Sequence, residues 1–124
     1  MRALVIDDSR TVRIIISKIL REAGIHEILE AGDGQEALEH MKRSPDVELV
    51  LVDWNMPVMN GLDFIRAIRS QRSFDPVRIL MVTSESESTQ VTVALNAGAN
   101  EYLMKPFTKE ILIAKLNLLD VFQE

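Results

Sequence analysis

Five short apolar runs punctuate the chain, at 3–6, 27–31, 48–52, 78–82 and 101–104, and most are rich in Val, Ile or Leu. Near-continuous apolar runs of this length suit strands buried on both faces of a parallel sheet. Between them the pattern changes to a helical period. Val12, Ile15, Ile16, Ile19, Leu20 and Ala23 fall at i, i+3, i+4, i+7, i+8 and i+11, which predicts one wide apolar stripe on a first helix. Gly24 stands where a helix C-terminal cap belongs. A second helix is expected from Asp33, with Glu36 three residues on as a capping-box-like pair. It carries Ala37, Leu38 and Met41, and Pro45 bars its extension. Asn60 is placed to cap a third helix with Leu62, Ile65 and Ile68 on one side. The fourth pattern, over 87–96, is the weakest. Val91, Ala94 and Leu95 have helical spacing, but Thr89, Val91, Thr92 and Val93 are poor helix formers. Thr108 is expected to cap a fifth helix bearing Ile111, Leu112, Leu116 and Leu119.

The order is therefore strand then helix, five times over. It implies an α/β fold in which a parallel sheet is covered on both faces through right-handed crossovers. No repeat, low-complexity segment or Pro/Gly-rich linker interrupts the pattern, and residues 1–124 are expected to form one domain. The net charge of −5 and the lack of a basic tract argue against nucleic-acid binding. The chain has no cysteine, which excludes disulfides, thiol catalysis and cysteine metal sites. No stretch reaches the roughly 20 apolar residues of a membrane span. The apolar run before Asp7 is too short for a signal peptide, so a cytoplasmic location is the expectation.

In open α/β sheets ligands bind at the carboxyl ends of the strands. Those ends carry Asp7-Asp8, Asp53, Thr83-Ser84 and Lys105-Pro106. Taken singly, an Asp after a strand is a turn former or helix cap, and a Lys is a solvated surface residue. Together they place three acids, a hydroxyl and an ammonium on one rim. Carboxylates roughly 5 Å apart repel by several kcal/mol at an effective dielectric of about 20. A hard divalent cation such as Mg²⁺ relieves that repulsion, and is commonly held by one or two carboxylates plus a phosphate. One carboxylate can then attack phosphorus, while the cation and Lys105 neutralise the equatorial oxygens and Thr83 donates to one of them.

These positions, with Val52-Asp53-Trp54-Asn55-Met56-Pro57, Asn60-Gly61 and Ala97-Gly98-Ala99, resemble the receiver domain of bacterial two-component response regulators. The likeness runs from Leu4 to about Leu119. It implies a flavodoxin-like, doubly wound five-stranded sheet of order 2-1-3-4-5 and a cis peptide before Pro106. It further implies that Asp53 accepts a phosphoryl group from a phosphohistidine on a histidine kinase. Asp8, Asp53 and the backbone carbonyl of Asn55 would bind Mg²⁺ directly, and Asp7 through a water. Lys105 would pair with the phosphoryl group, Thr83 would move toward it, and Tyr102 would swing inward behind Thr83. On this reading the protein is a signalling phosphoacceptor rather than an enzyme, and catalyses only its own phosphoryl transfer and dephosphorylation.

Among receivers the chain is most similar to the stand-alone chemotaxis type, through Trp54, Asn55, Glu85, Tyr102 and Lys115. The chain ends soon after the fifth helix. At that length output is expected from docking of an output protein or phosphatase on the face of helix 4, strand 5 and helix 5, including Val91, Tyr102 and Lys115. A monomer is expected. Asn55 and Glu85 would tune the lifetime of the phosphorylated state, and their pairing suggests rapid loss. The alternative is a phosphorelay intermediate or a receiver fragment of a larger regulator. Ser84 stands where many relatives have Ala, and the β-branched fourth helix leaves the output partner open. Phe122 either caps the core or marks a longer protein. A haloacid-dehalogenase-like phosphatase would need an acid two residues after Asp53, where Asn55 stands. A receiver-like scaffold that is never phosphorylated would not need the full set of acids, Thr83 and Lys105. His26 and His40 lie away from the acids and are read as surface residues. Trp54, Met56 and Met59 are read as loop packing, with Trp54 a fluorescence reporter beside Asp53.

Overall fold

A computed structural model describes residues 1–84 and 88–122. Five strands, β1 (Arg2–Ile6), β2 (Glu27–Ala31), β3 (Val47–Val52), β4 (Arg78–Thr83) and β5 (Glu101–Met104), alternate with five helices. These are α1 (Arg10–Glu22), α2 (Gly34–Arg43), α3 (Gly61–Arg69), α4 (Ser88–Ala97) and α5 (Lys109–Leu118), and a 3₁₀ turn at Arg72–Phe74 precedes β4. All strand pairs are parallel, in the order β2-β1-β3-β4-β5. The expected order and element sequence are both present.

Each central strand feeds two cores by alternation. Leu4, Ile6, Val50, Val52, Ile79 and Met81 face one layer, where they meet Ala37 and Met41 of α2, Phe64, Ile65 and Ile68 of α3, and Ala94 of α4. Ala3, Val5, Leu49, Leu51, Leu80 and Val82 face the other, against Ile16, Ile19 and Leu20 of α1 and Leu112 and Leu116 of α5. The period of two along a strand divides one apolar run between two helical layers. The wide stripe predicted on α1 is narrower in the fold, and so is the apolar set expected on α5. Ile15 and Ile111 are about half exposed, because each helix covers the sheet with only part of its apolar arc. Leu95 is also exposed, and among the described α4 side chains only Ala94 is fully buried in the core.

The helix ends follow local chemistry. The side chains of Ser9, Asp33, Asn60 and Thr108 accept the backbone N–H of Val12, Glu36, Asp63 and Ile111 respectively. Each such cap is worth about 1 kcal/mol. The capping box at α2 is shifted by one residue: the Glu36 carboxylate reaches the N–H of Gly32 at 3.3 Å, not that of Asp33. At the end of α1, Gly24 takes φ +99°, with Gly24 N donating to Arg21 O and Ile25 N to Leu20 O. That double bond is the Schellman closure, whose left-handed residue favours glycine. The start of α4 adjoins residues 85–87, so Glu85 lies outside the described residues, as do 123 and 124. Among the described residues no helix is long and apolar enough to cross a membrane.

Candidate phosphoryl and metal site

The sheet register continues one residue past the strands and builds the rim. Asp7 N donates to Ala31 O, Asp53 N to Ile6 O, and Lys105 N to Thr83 O. Asp7, Asp53, Thr83 and Lys105 are thereby set side by side across β1, β3, β4 and β5. The rim straddles β1 and β3, where the strand order reverses and the helices leave for opposite faces.

The loop after β3 is held closely. Gly61 N donates to Trp54 O at 2.9 Å, and a Cβ on Gly61 would lie 2.0 Å from Asp53 O. Only glycine lets α3 begin so near the Asp53 backbone. Gly34 N donates to Met59 O, so the first turn of α2 braces the same loop. Between these anchors Val58 takes φ +68° and is 83% exposed. A β-branched residue rarely adopts that region.

Asp7, Asp8 and Asp53 present carboxylate oxygens within 4.8 Å of one another. Asp7 and Asp53 are buried and Asp8 is exposed. Asp53 Oδ1 accepts from Trp54 N at 2.8 Å, and its Oδ2 lies 3.4 Å from Lys105 Nζ. Asp7 Oδ1 accepts from Ser9 N at 2.8 Å, and its Oδ2 pairs with Lys105 Nζ, also at 2.8 Å. Burial raises the Asp53 pKa above its ordinary value; the Lys105 charge opposes the rise and the Asp7 charge adds to it. Burial alone would lower Lys105, but the Asp7 hydrogen bond and the Asp53 charge outweigh it and raise it. Three carboxylates and one ammonium thus leave a local excess of negative charge in a partly desolvated hollow. An all-oxygen donor set of this kind fits a hard divalent cation.

The remaining predicted residues fall into two groups. Thr83 is buried beside the rim, and with Trp54, Val91 and Tyr102 it lines a single crevice between β4, α4 and β5. Tyr102 is half-buried, and Lys115 Nζ sits 4.6 Å from its ring centroid while pairing with Glu101 Oε1 at 3.1 Å. Val91, Tyr102 and Lys115 therefore do lie around one face. Asn55 is exposed on the loop after Asp53, Ser84 is exposed at the end of β4, and the Lys105–Pro106 peptide is cis. His26 is exposed on the turn before β2, while the half-buried His40 lies 3.8 Å from Glu36.

Two arginines were not singled out by sequence reasoning. Arg13 donates to the backbone carbonyl of Asp7 and, through Nε, to Glu30 Oε1. Arg69 uses its whole guanidinium on Gly98 O, Phe74 O, Asp75 O, Val77 O and Asn100 Oδ1, joining the end of α3 to the turns before β4 and β5. A polar residue on the inner edge of a helix was the signal available for both, but periodicity does not say which backbone it will meet.

Comparison with known proteins agrees with this geometry. The chain is 43% identical over 118 residues to the chemotaxis protein CheY1 of Helicobacter pylori, covering 95% of each. Its fold matches the CheX-CheY-BeF3-Mg complex of Borrelia burgdorferi with a TM-score of 0.90 at 25% identity, over 100% of this chain and 90% of that one. It also matches a two-component system response regulator/GGDEF domain protein with a TM-score of 0.90 at 30% identity, and there it spans 51% of the longer chain. The family model described as the response regulator receiver domain matches residues 3–117, and the chain belongs to that family.

Proposed function

We propose that the protein is a single-domain response regulator of a two-component system, which accepts a phosphoryl group on Asp53 from a histidine kinase in a Mg²⁺-dependent reaction. The observation that carries this reading is the convergence of Asp7, Asp8 and Asp53 within 4.8 Å, with Lys105 reaching both Asp7 and Asp53. Asp8, Asp53 and the carbonyl of Asn55 would hold Mg²⁺, with Asp7 acting through a water. The ion, when bound, neutralises charge on the transferring group.

The chain's own residues supply the rest. Asp53 Oδ2 attacks phosphorus as the bond to the histidine nitrogen breaks, and the nitrogen leaves with the electron pair. Trp54 N–H on Oδ1 fixes the carboxylate plane. Lys105 is free to turn from Asp7 to a phosphoryl oxygen, and Thr83 supplies a hydroxyl to another. The shift of Thr83 would be read by Tyr102 across the crevice they share. The face of α4, β5 and α5 around Val91, Tyr102 and Lys115 would then bind an output protein or phosphatase. Asn55 and Glu85 would set the lifetime of the phosphorylated state. The kinship with chemotaxis proteins makes a cytoplasmic chemotaxis pathway the favoured setting. Incubation with a small phosphodonor and Mg²⁺, followed by intact mass measurement, tests the reading. One phosphoryl adduct is expected on the wild type and none on Asp53→Asn; an equal adduct on both would refute Asp53 as the acceptor.

A further inference from the structure

Every polar atom of Asp7 has a partner. Its N–H bonds Ala31 O, its Oδ1 takes Ser9 N–H, and its Oδ2 takes Lys105. Its backbone carbonyl is taken by Arg13 Nη1. The next residue is the opposite case. Among the described residues no hydrogen bond or ion pair holds the Asp8 carboxylate, and Asp8 is exposed. The Asp8 side chain is therefore placed by its backbone alone. The preceding peptide is planar, so fixing the Asp7 carbonyl also fixes the Asp8 N–H and the position of the Cα from which the side chain springs.

Arg13 is suited to this task. It lies in the first half of α1, its side chain is 17% exposed, and its Nε is anchored 3.0 Å from Glu30 Oε1 near the end of β2. The planar fork ties two strand ends together. Glu30 also balances the guanidinium charge, so the arginine can serve as a hydrogen-bond clamp beside an acidic hollow.

We propose that Arg13 is a positioning residue for the Mg²⁺ site, holding the Asp7–Asp8 peptide so that the Asp8 carboxylate stands opposite Asp53. The inference rests on the reading of that cluster as a Mg²⁺ site. It makes a prediction opposite in sign to simple electrostatics. Removing a cation near three carboxylates should tighten Mg²⁺ binding, whereas loss of a positioning group should loosen it.

Titration of Trp54 fluorescence with MgCl₂ at low and high NaCl, on wild type, Arg13→Gln and Arg13→Lys, separates the two. Arg13→Lys keeps the charge and is the milder change for folding, but has no fork to span both acceptors. The expected result is an apparent Kd raised about tenfold in Arg13→Gln and severalfold in Arg13→Lys, the size usual for groups that orient metal ligands. The ratio to wild type should be the same at both salt concentrations. A Kd that is unchanged or lower in both variants would overturn the proposal, even if urea unfolding shows them less stable, since that would make Arg13 structural only. Absence of any Mg²⁺ response in the wild type would instead overturn the Mg²⁺ reading beneath it.

Discussion

Lys105 Nζ lies 2.8 Å from Asp7 Oδ2. The same ammonium is 3.4 Å from Asp53 Oδ2, so one cation spans two buried acids. Lys105→Met should leave those carboxylates facing each other unneutralised. We expect a loss of about 2 kcal/mol in urea unfolding at neutral pH without Mg²⁺, the usual scale for a charged hydrogen bond. Addition of Mg²⁺ should recover much of it by binding the folded state. Equal loss with and without Mg²⁺ would show that the lysine acts by packing.

The raised pKa of Asp53 has a defined consequence for stability in metal-free protein. Burial is the main cause, and it makes the folded state bind a proton more readily than the unfolded chain does. The ionised carboxylate therefore destabilises the fold, and the penalty disappears as pH falls through the folded pKa. Asp53→Asn should be more stable than wild type at pH 7. The advantage should shrink as pH is lowered toward the ordinary carboxylate range. Urea unfolding from pH 7 to pH 4 in the presence of a chelator measures it, and a constant difference would contradict the assignment.

Val58 holds a left-handed conformation with its side chain 83% exposed. It loses little packing on replacement but carries backbone strain. Val58→Asn should raise stability by about 1 kcal/mol, because Asn tolerates this region and Val does not. A denaturation midpoint at or below that of wild type would show that the loop has another reason to keep valine.

Gly61 and Gly24 make a matched pair. A Cβ at Gly61 would meet Asp53 O at 2.0 Å, while one at Gly24 meets nothing within 4 Å but sits at φ +99°. Gly24→Ala should cost about 1 kcal/mol of backbone strain and leave the Mg²⁺ Kd alone. Gly61→Ala must displace the Asp53–Trp54 peptide, and should both destabilise the fold by at least about 2 kcal/mol and weaken Mg²⁺ binding. Equal Mg²⁺ affinity in the two variants would show that the loop absorbs the change.

The sequence was most informative where one local signal sufficed. Apolar runs located all five strands, with ends shifted by one residue at β1, β3 and β4. The caps at Asp33, Asn60 and Thr108 came from side-chain chemistry confined to one turn. The site was legible because each of its residues ends or follows a strand, and a parallel sheet brings strand ends together whatever their separation in the chain. What stayed hidden depends on distance across the fold. The outward turn of Ile15 and Ile111 reflects how much of each helix the sheet covers. The partners of Arg13 and Arg69 are backbone carbonyls on other elements, which no side-chain pattern encodes. The left-handed Val58 is set by anchors on either side, at Gly34–Met59 and Gly61–Trp54, and valine itself gives no hint of it.

The central claim is that Asp53 accepts a phosphoryl group beside a divalent cation and that the change is felt in the crevice shared by Trp54, Thr83 and Tyr102. The most direct test is Trp54 fluorescence during titration with Mg²⁺ and then beryllofluoride, which stands in for the phosphoryl group, on wild type and Asp53→Asn. The account predicts a beryllofluoride response in wild type that requires Mg²⁺ and disappears in Asp53→Asn. A wild-type protein that responds to neither, or an Asp53→Asn variant that responds as wild type does, would contradict it.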